Sequence, residues 1–239
     1  MNRIWLPYCG AAPLPEEWLM RWNLDPVLIA ALAGAAIWAW LYAERRSAAL
    51  WSVLILATLF ISPVCALTSA LFSVRIIHHV ALTAIAAPLL VRAMGDSVRM
   101  IGNPVMWTIV HILLFWFWHA PDAYAFALSN VSAYWTMQIT LLGSAVAFWA
   151  ALRAASAPSV IGLLLAMMVQ MGLLGALITF ASAPLYAPHW LSTQPWNLTP
   201  LEDQQLAGLI MWAPASLFYL GAALWTAWQF LAPARPASA

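Results

Sequence analysis

The side chains best suited to chemistry in this sequence are two cysteines and five histidines. Neutral imidazole is a ligand for copper, zinc and iron, and thiolate or thioether sulfur favours Cu(I). His78 and His79 are adjacent, and His119, Cys9 and Cys65 are the other candidates. No two-residue spacing among them defines a closed metal site. The residue types therefore indicate a soft-metal site only if the fold brings them together.

Each candidate ligand also has a structural interpretation. Cys65 would serve as a small buried apolar side chain. Neighbouring helical residues point ~100° apart, so one of His78 and His79 would bond a carbonyl or a headgroup instead of facing inward. His119 beside tryptophan would be an interface anchor. His111 fits a satisfied buried polar group, and His189 fits an incidental loop residue.

The composition defines the elements that must position these residues. Of 239 residues, 65% are hydrophobic and 7% are charged, against roughly 45–50% and about 25% in globular proteins. We predict a single all-α domain over residues 1–239, a polytopic membrane bundle. A net charge of +1 without a basic run excludes nucleic-acid binding, and no P-loop, dinucleotide, zincin or hydrolase motif is present.

Charge-poor stretches predict about seven transmembrane helices, each near the ~20 residues that a bilayer requires. The predicted spans, after an outer N-terminal arm over 1–25, are 26–43, 48–72, 76–94, 104–119, 134–152, 159–183 and 206–231. Helix starts are predicted at Asp25-Pro26 and Asn103-Pro104, and at a capping box over 199–202. Prolines at 63, 88 and 214 should kink their spans.

The arginines predict the orientation, because cytoplasmic loops carry the excess of positive charge. One side of the seven-span topology holds Arg45, Arg46, Arg92, Arg99, Arg153 and Arg235. We therefore expect the N-terminus on the outer side of the membrane and the C-terminus in the cytoplasm. Both cysteines and four of the five histidines then occupy the outer half.

Two further groups of polar residues belong to this outer half. Arg75 shares a helical face with His78 and His79, where its charge would keep the imidazoles unprotonated, unless it extends to lipid headgroups instead. Glu202 and Asp203 open the last helix, where negative charge favours the helix dipole. Capping alone explains Glu202. The polar run that begins at Asp203 and Gln204 would bind a proton, a metal or a partner loop.

Several of these segments resemble the CtaG family of cytochrome c oxidase assembly factors. They are Ser62-Pro-Val-Cys65-Ala-Leu, Arg75-Ile-Ile-His78-His79, Trp118-His119-Ala-Pro121 and the stretch from Thr199-Pro-Leu-Glu202-Asp203-Gln204 to Trp212. The resemblance implies a seven-span bacterial inner-membrane protein that helps to mature a haem–copper oxidase, usually by copper delivery. The chain departs from the family pattern where relatives carry histidines, at Arg75, Tyr134 and Gln138.

The expected function is an assembly factor, not an enzyme, that holds Cu(I) transiently near the outer face. It would pass the ion to an apo-oxidase subunit, acting as a metallochaperone of the respiratory chain. The predicted ligands are Cys65, His79 and His119, then His78, with Cys9 as a mobile entry ligand.

The alternative is a metal-free scaffold or accessory subunit of the oxidase. In it, a polar network of Arg75, Glu202, Asp203 and Gln204 would tie the third and seventh spans. A transporter is disfavoured, since the spans show no paired broken helices. Expected partners are oxidase subunits and membrane lipids. Homo-oligomerisation and pairing of Cys9 with Cys65 are left open.

Overall fold

The computed structural model describes residues 5, 7–95 and 103–232, and this part of the chain is helical without a β-strand. Arg99 and Arg235, which the prediction places on the cytoplasmic side, lie outside the described residues. The helices are α1 Pro26–Leu41, α2 Arg46–Phe60, α3 Pro63–Ala70, α4 Phe72–Val80, α5 Ala87–Ala93, α6 Pro104–His119, α7 Pro121–Ser129, α8 Val131–Leu152, α9 Ala157–Thr179, α10 Pro200–Trp212 and α11 Pro214–Leu231.

Apart from α7, these helices lie at the seven predicted positions, and the all-α membrane class is confirmed. Four are long and apolar enough to cross a bilayer: 72–93, 131–152, 157–179 and 200–231. A fifth is the pair α2 and α3, bent by 49°. α1 and α6 have 16 residues each, or ~24 Å of helix against a hydrocarbon core of ~30 Å. The count of seven crossings stays a prediction.

The predicted helix starts are confirmed by their hydrogen bonds. The Asp25 and Asn103 side chains accept backbone N–H groups of the first turns of α1 and α6. Thr199 and Glu202 form the reciprocal capping box of α10. Because these signals are local in sequence, they are legible without knowledge of the fold. α7, a short helix between α6 and α8, is an element that hydropathy does not reveal.

Two interruptions shape the spans next to the histidines. Pro63 begins α3 after the bend, with Ser62 as its N-cap. A π-helix over Ala81–Ala86 lies between α4 and α5, immediately after the His78–His79 pair. The Thr83 hydroxyl donates to the His79 carbonyl (2.8 Å), and the Trp149 indole N–H donates to the Thr83 carbonyl (3.0 Å). Side chains thus satisfy carbonyls that the wider turn displaces.

The N-terminal arm and the loop after α9 lie together at one end of the bundle. The Trp196 indole N–H donates to the Pro13 carbonyl at 3.2 Å, and the ring of Trp196 lies 6.5 Å from that of Trp18. The Tyr8 hydroxyl donates to Asp25 at 2.6 Å, and burial, with help from this carboxylate, raises the pKa of Tyr8 to about 12. The arm is therefore a packed part of the fold.

Candidate functional site

Three of the predicted histidines converge where α4 meets the end of α6. His78 and His79 are completely buried, and His119 is 2% exposed. The ring centroids of His79 and His119 are 5.2 Å apart, and those of His78 and His79 are 5.9 Å apart. The closest approach joins His79 Nδ1 to His119 Nε2 at 3.4 Å. His119 is thus an interior residue and not an interface anchor.

The hydrogen bonds of His119 fix its tautomer. Its Nδ1 lies 2.6 Å from the Phe115 carbonyl oxygen, and since a carbonyl only accepts, Nδ1 carries the proton. The Nε2 lone pair therefore points at His79. Metal-binding histidines are commonly oriented in this way, with the second ring nitrogen donating to a backbone carbonyl. His79 Nδ1–H can donate to His119 Nε2, which leaves His79 Nε2 without a partner among the described residues.

Other buried polar atoms beside the pair also lack partners. Within the described chain, the ring nitrogens of His78 and the polar atoms of the Gln138 amide have no partner within 3.5 Å, although these two side chains adjoin each other. The His78 ring meets that of Phe60 edge-on at 4.9 Å, and Gln138 lines an adjoining apolar cavity of about 150 Å³. Because buried polar groups are normally satisfied, this cluster has unused capacity to bind a ligand.

Arg75 lies on the same helix, completely buried. Its guanidinium carbon is 5.4 Å from the centre of the Tyr134 ring, a cation–π geometry. The part of the chain that the structure describes gives its three guanidinium nitrogens no hydrogen-bond acceptor. Among the described residues, an ion pair joins Arg21 to Glu17, and none includes Arg75. The predicted network joining Arg75 to Glu202 and Asp203 is therefore wrong as an ion pair.

The two cysteines form a disulfide between the N-terminal arm and α3. Cys9 Sγ lies 3.4 Å from the Tyr134 hydroxyl, so the disulfide borders the ring over which Arg75 lies. The question of pairing is thereby answered. It also corrects the predicted ligand set: in this oxidised state, neither Cys65 nor Cys9 offers a thiolate, the form of sulfur that binds Cu(I).

Asp203 caps α4 from a distant part of the sequence. Its carboxylate accepts the backbone N–H groups of Phe72 (2.6 Å) and Ser73 (3.2 Å) and the Ser73 hydroxyl (2.5 Å). A buried carboxylate at the positive end of a helix is favoured by the helix dipole. The predicted tie between the third and seventh spans therefore exists, but through the backbone of α4 and not through Arg75.

Glu202 and Gln204 have separate roles from Asp203. Glu202 is exposed and serves the capping box, as capping alone would predict. The Gln204 amide nitrogen donates to the Ile178 carbonyl (3.2 Å), and its oxygen accepts the Leu185 N–H (2.6 Å). Gln204 thus fastens α10 to the end of α9 and the loop that follows. The side chains of Asp203 and Gln204, which begin the polar run, are therefore both occupied by structural hydrogen bonds.

The capping role of Asp203 predicts a large loss of stability in Asp203→Ala. The change leaves two N–H groups at the buried start of α4 without acceptors, each worth about 1–3 kcal/mol, so we expect a loss of about 2–6 kcal/mol. The measurement is the free energy of unfolding in mixed detergent micelles. The control is Glu202→Gln, which retains the capping box and should change stability little. Equal losses in both variants would contradict the role of Asp203.

The remaining histidines are structural. Because Nδ1 of His189 donates to the Ala70 carbonyl (3.2 Å), its Nε2 accepts the Tyr124 hydroxyl (2.7 Å). Burial lowers the pKa of His189 to about 3, so this side chain is neutral at neutral pH. His111 Nδ1 pairs with the Ser144 hydroxyl at 2.8 Å. His111 is thus buried but only partly satisfied, since its Nε2 has no partner among the described residues. His189 is a buried, doubly hydrogen-bonded residue and not an incidental one.

The donor chemistry at His79 and His119 fits an exchangeable copper ion. Neutral imidazole is an accepted copper ligand, and the rings of His78 and His79 have centroids 5.9 Å apart. Among residues 5, 7–95 and 103–232, no group of three or more His, Cys, Asp or Glu side chains is arranged to hold a metal ion. The geometry is that of two converging imidazoles and not of a closed, multi-ligand site.

Comparison with known proteins gave one result. A family model described as "Cytochrome c oxidase caa3 assembly factor (Caa3_CtaG)" matches residues 91–232, more than half of the chain. No curated protein and no solved structure matches. The matched region contains His119 and Asp203. It begins after His79, so the site spans both the matched region and the helices that precede it.

Proposed function

This chain belongs to the family of cytochrome c oxidase caa3 assembly factors, and from that premise we propose that it binds Cu(I) transiently between His79 and His119. The ion would be cargo, received at the buried imidazole pair and passed to an apo-subunit of a haem–copper oxidase. In this proposal the protein is not an enzyme. Ligand exchange is the whole of its chemistry, and the oxidase subunit is its partner.

The approach of His79 Nδ1 to His119 Nε2 at 3.4 Å carries the proposal. Phe115 holds the His119 lone pair in position, so one ligand is preorganised. His79 and His78 offer ring nitrogens that no described residue occupies. Few ligands favour delivery, because a cargo ion must leave as readily as it enters.

The disulfide supports the predicted sidedness. Disulfides persist in oxidising compartments such as the periplasm, and Cys9–Cys65 lies at the end of the bundle that contains the arm. Several apolar helices identify a multi-pass membrane protein. The proposed arrangement is a bacterial inner membrane with this end outward and the arginine-rich end in the cytoplasm.

The test compares the oxidase from cells lacking this protein, complemented with wild type or with a His79→Ala, His119→Ala variant. We expect the variant to yield oxidase with normal haem but a copper-to-haem ratio lowered several-fold, restored in part by added copper. The measurement is metal analysis of the purified oxidase.

A metal-free scaffold would give the opposite pattern. Loss of the protein would lower the amount of assembled oxidase, while the copper-to-haem ratio of what remains would be unchanged. The histidine variant would then complement fully, since the histidines would have no role beyond packing.

A further inference from the structure

A large cavity lies at the opposite end of the bundle from the histidines. It has a volume of about 750 Å³ and opens between α5, α8 and α11. Its charged rim contains Arg45, Arg92 and Arg153, and none of the described residues that line it is Asp or Glu. One third of the nine positive residues of the chain thus meet at one groove.

The rim arginines are held differently. Arg153 is anchored, because its Nη1 donates to the carbonyls of Val91 (3.3 Å) and Gly95 (2.5 Å). Arg45 and Arg92 are exposed, and no described carboxylate forms an ion pair with either. Glu44, an acidic residue at this end, lies with its carboxylate against Gly95. The described charges around the groove therefore sum to a positive value, which favours an anion.

The inner part of the groove is apolar and elongated. Phe218 and Trp225 lie seven residues apart on α11, which is ~10 Å along one helical face. Trp149 lines the opposite wall and is fixed by stacking on Tyr219 at a centroid distance of 5.8 Å. The groove thus runs from cationic groups at the end of the bundle towards aromatic groups at greater depth.

We propose that this groove binds an anionic phospholipid, with the phosphate at Arg45 and Arg92 and an acyl chain along Phe218 and Trp225. Basic pockets between transmembrane helices recognise anionic headgroups in this way. A free phosphate ion would leave the long apolar wall uncovered, and a zwitterionic lipid would not neutralise the rim. The occupant is therefore an amphiphile with net negative charge, and phosphatidylglycerol has this chemistry.

The test measures lipid adducts on the purified protein by native mass spectrometry during titration with phosphatidylglycerol. Phosphatidylcholine of the same acyl chains and inorganic phosphate are the comparison ligands. We expect Arg45→Gln with Arg92→Gln to weaken phosphatidylglycerol binding roughly 30-fold, since each surface arginine contributes about a factor of five. The matched control is Arg46→Gln, because Arg46 is exposed at the same end but does not line the groove.

Three results would overturn the proposal. Phosphatidylcholine binding as tightly as phosphatidylglycerol would show a nonspecific lipid groove. Inorganic phosphate displacing the lipid completely would show that the rim binds an ion alone. Equal weakening in Arg46→Gln and in the double variant would show a diffuse surface effect. Cu(I) binding at the histidine end, unchanged in all variants, confirms that they are folded.

Discussion

We expect alanine at both His79 and His119 to lower the affinity for Cu(I) at least ~100-fold in an anaerobic titration of the purified protein. Loss of a supporting group around a metal ligand already costs about 10–100-fold in affinity, so loss of both ligands costs more. His78→Ala should have a smaller effect, because His78 adjoins the pair without a nitrogen pointed at His119. Competition with a chromophoric Cu(I) chelator measures each affinity.

The matched control for this experiment is His111→Gln. His111 is as buried as His79, and it lies in the same helix as His119, but its hydrogen bond goes to Ser144. A change there tests whether any disturbance of buried imidazole reduces copper binding. Wild-type affinity in the His79, His119 double variant would refute the proposed site, and so would equal weakening by His111→Gln.

The second large effect is on stability: Cys9→Ser with Cys65→Ser should lower the free energy of unfolding by ~4 kcal/mol. The disulfide closes a segment with a sequence separation of 56 residues, and the chain-entropy relation gives this magnitude for a loop of that length. The N-terminal arm should also become accessible to protease, since it loses its covalent tie to α3. Denaturant unfolding and limited proteolysis measure the two changes.

The same double variant separates the present ligand set from one that contains sulfur. If the histidines bind the ion, the Cu(I) stoichiometry is unchanged by the serine substitutions. Wild-type protein titrated with and without a thiol reductant is the control, because the reductant opens the disulfide without changing the sequence. A lower stoichiometry in the double variant, or extra copper bound only after reduction, would restore Cys65 and Cys9 as ligands.

The parts of the fold that the sequence predicts are those encoded locally. Asp25 and Asn103 each precede a proline, and such a pair starts a helix wherever it lies in the fold. The cap of α4 is different, because Leu71 and Phe72 show no capping signal and the acceptor is Asp203, 131 positions later. No local pattern reports that distance. The bend before Pro63 was predictable from the proline, whereas its angle depends on packing.

The site was also predictable only in part, because its contacts join residues that are distant in the sequence. Sidedness alone placed His79 and His119 in one half of the membrane, and the bundle then brought them together. The alternative interpretation places Arg75 in a polar network with Asp203, but the oxygens of Asp203 accept the N–H groups of Phe72 and Ser73 and the Ser73 hydroxyl. Two of the three positions at which the resemblance predicts histidines, Arg75 and Tyr134, instead contact each other. The site contains three histidines, His78, His79 and His119.

The π-helix over Ala81–Ala86 affects which face of the span the histidines occupy. A π turn accommodates an additional residue within a helix that is otherwise α-helical, so the two flanking parts keep nearly the register of a continuous α-helix. If the same residues were wound as a regular α-helix, one part would rotate by ~100° relative to the other. His78 and His79 would then leave the face that meets α6, although every side chain of the site was retained. The site is therefore sensitive to a local change of helix type, even without any substitution among its side chains.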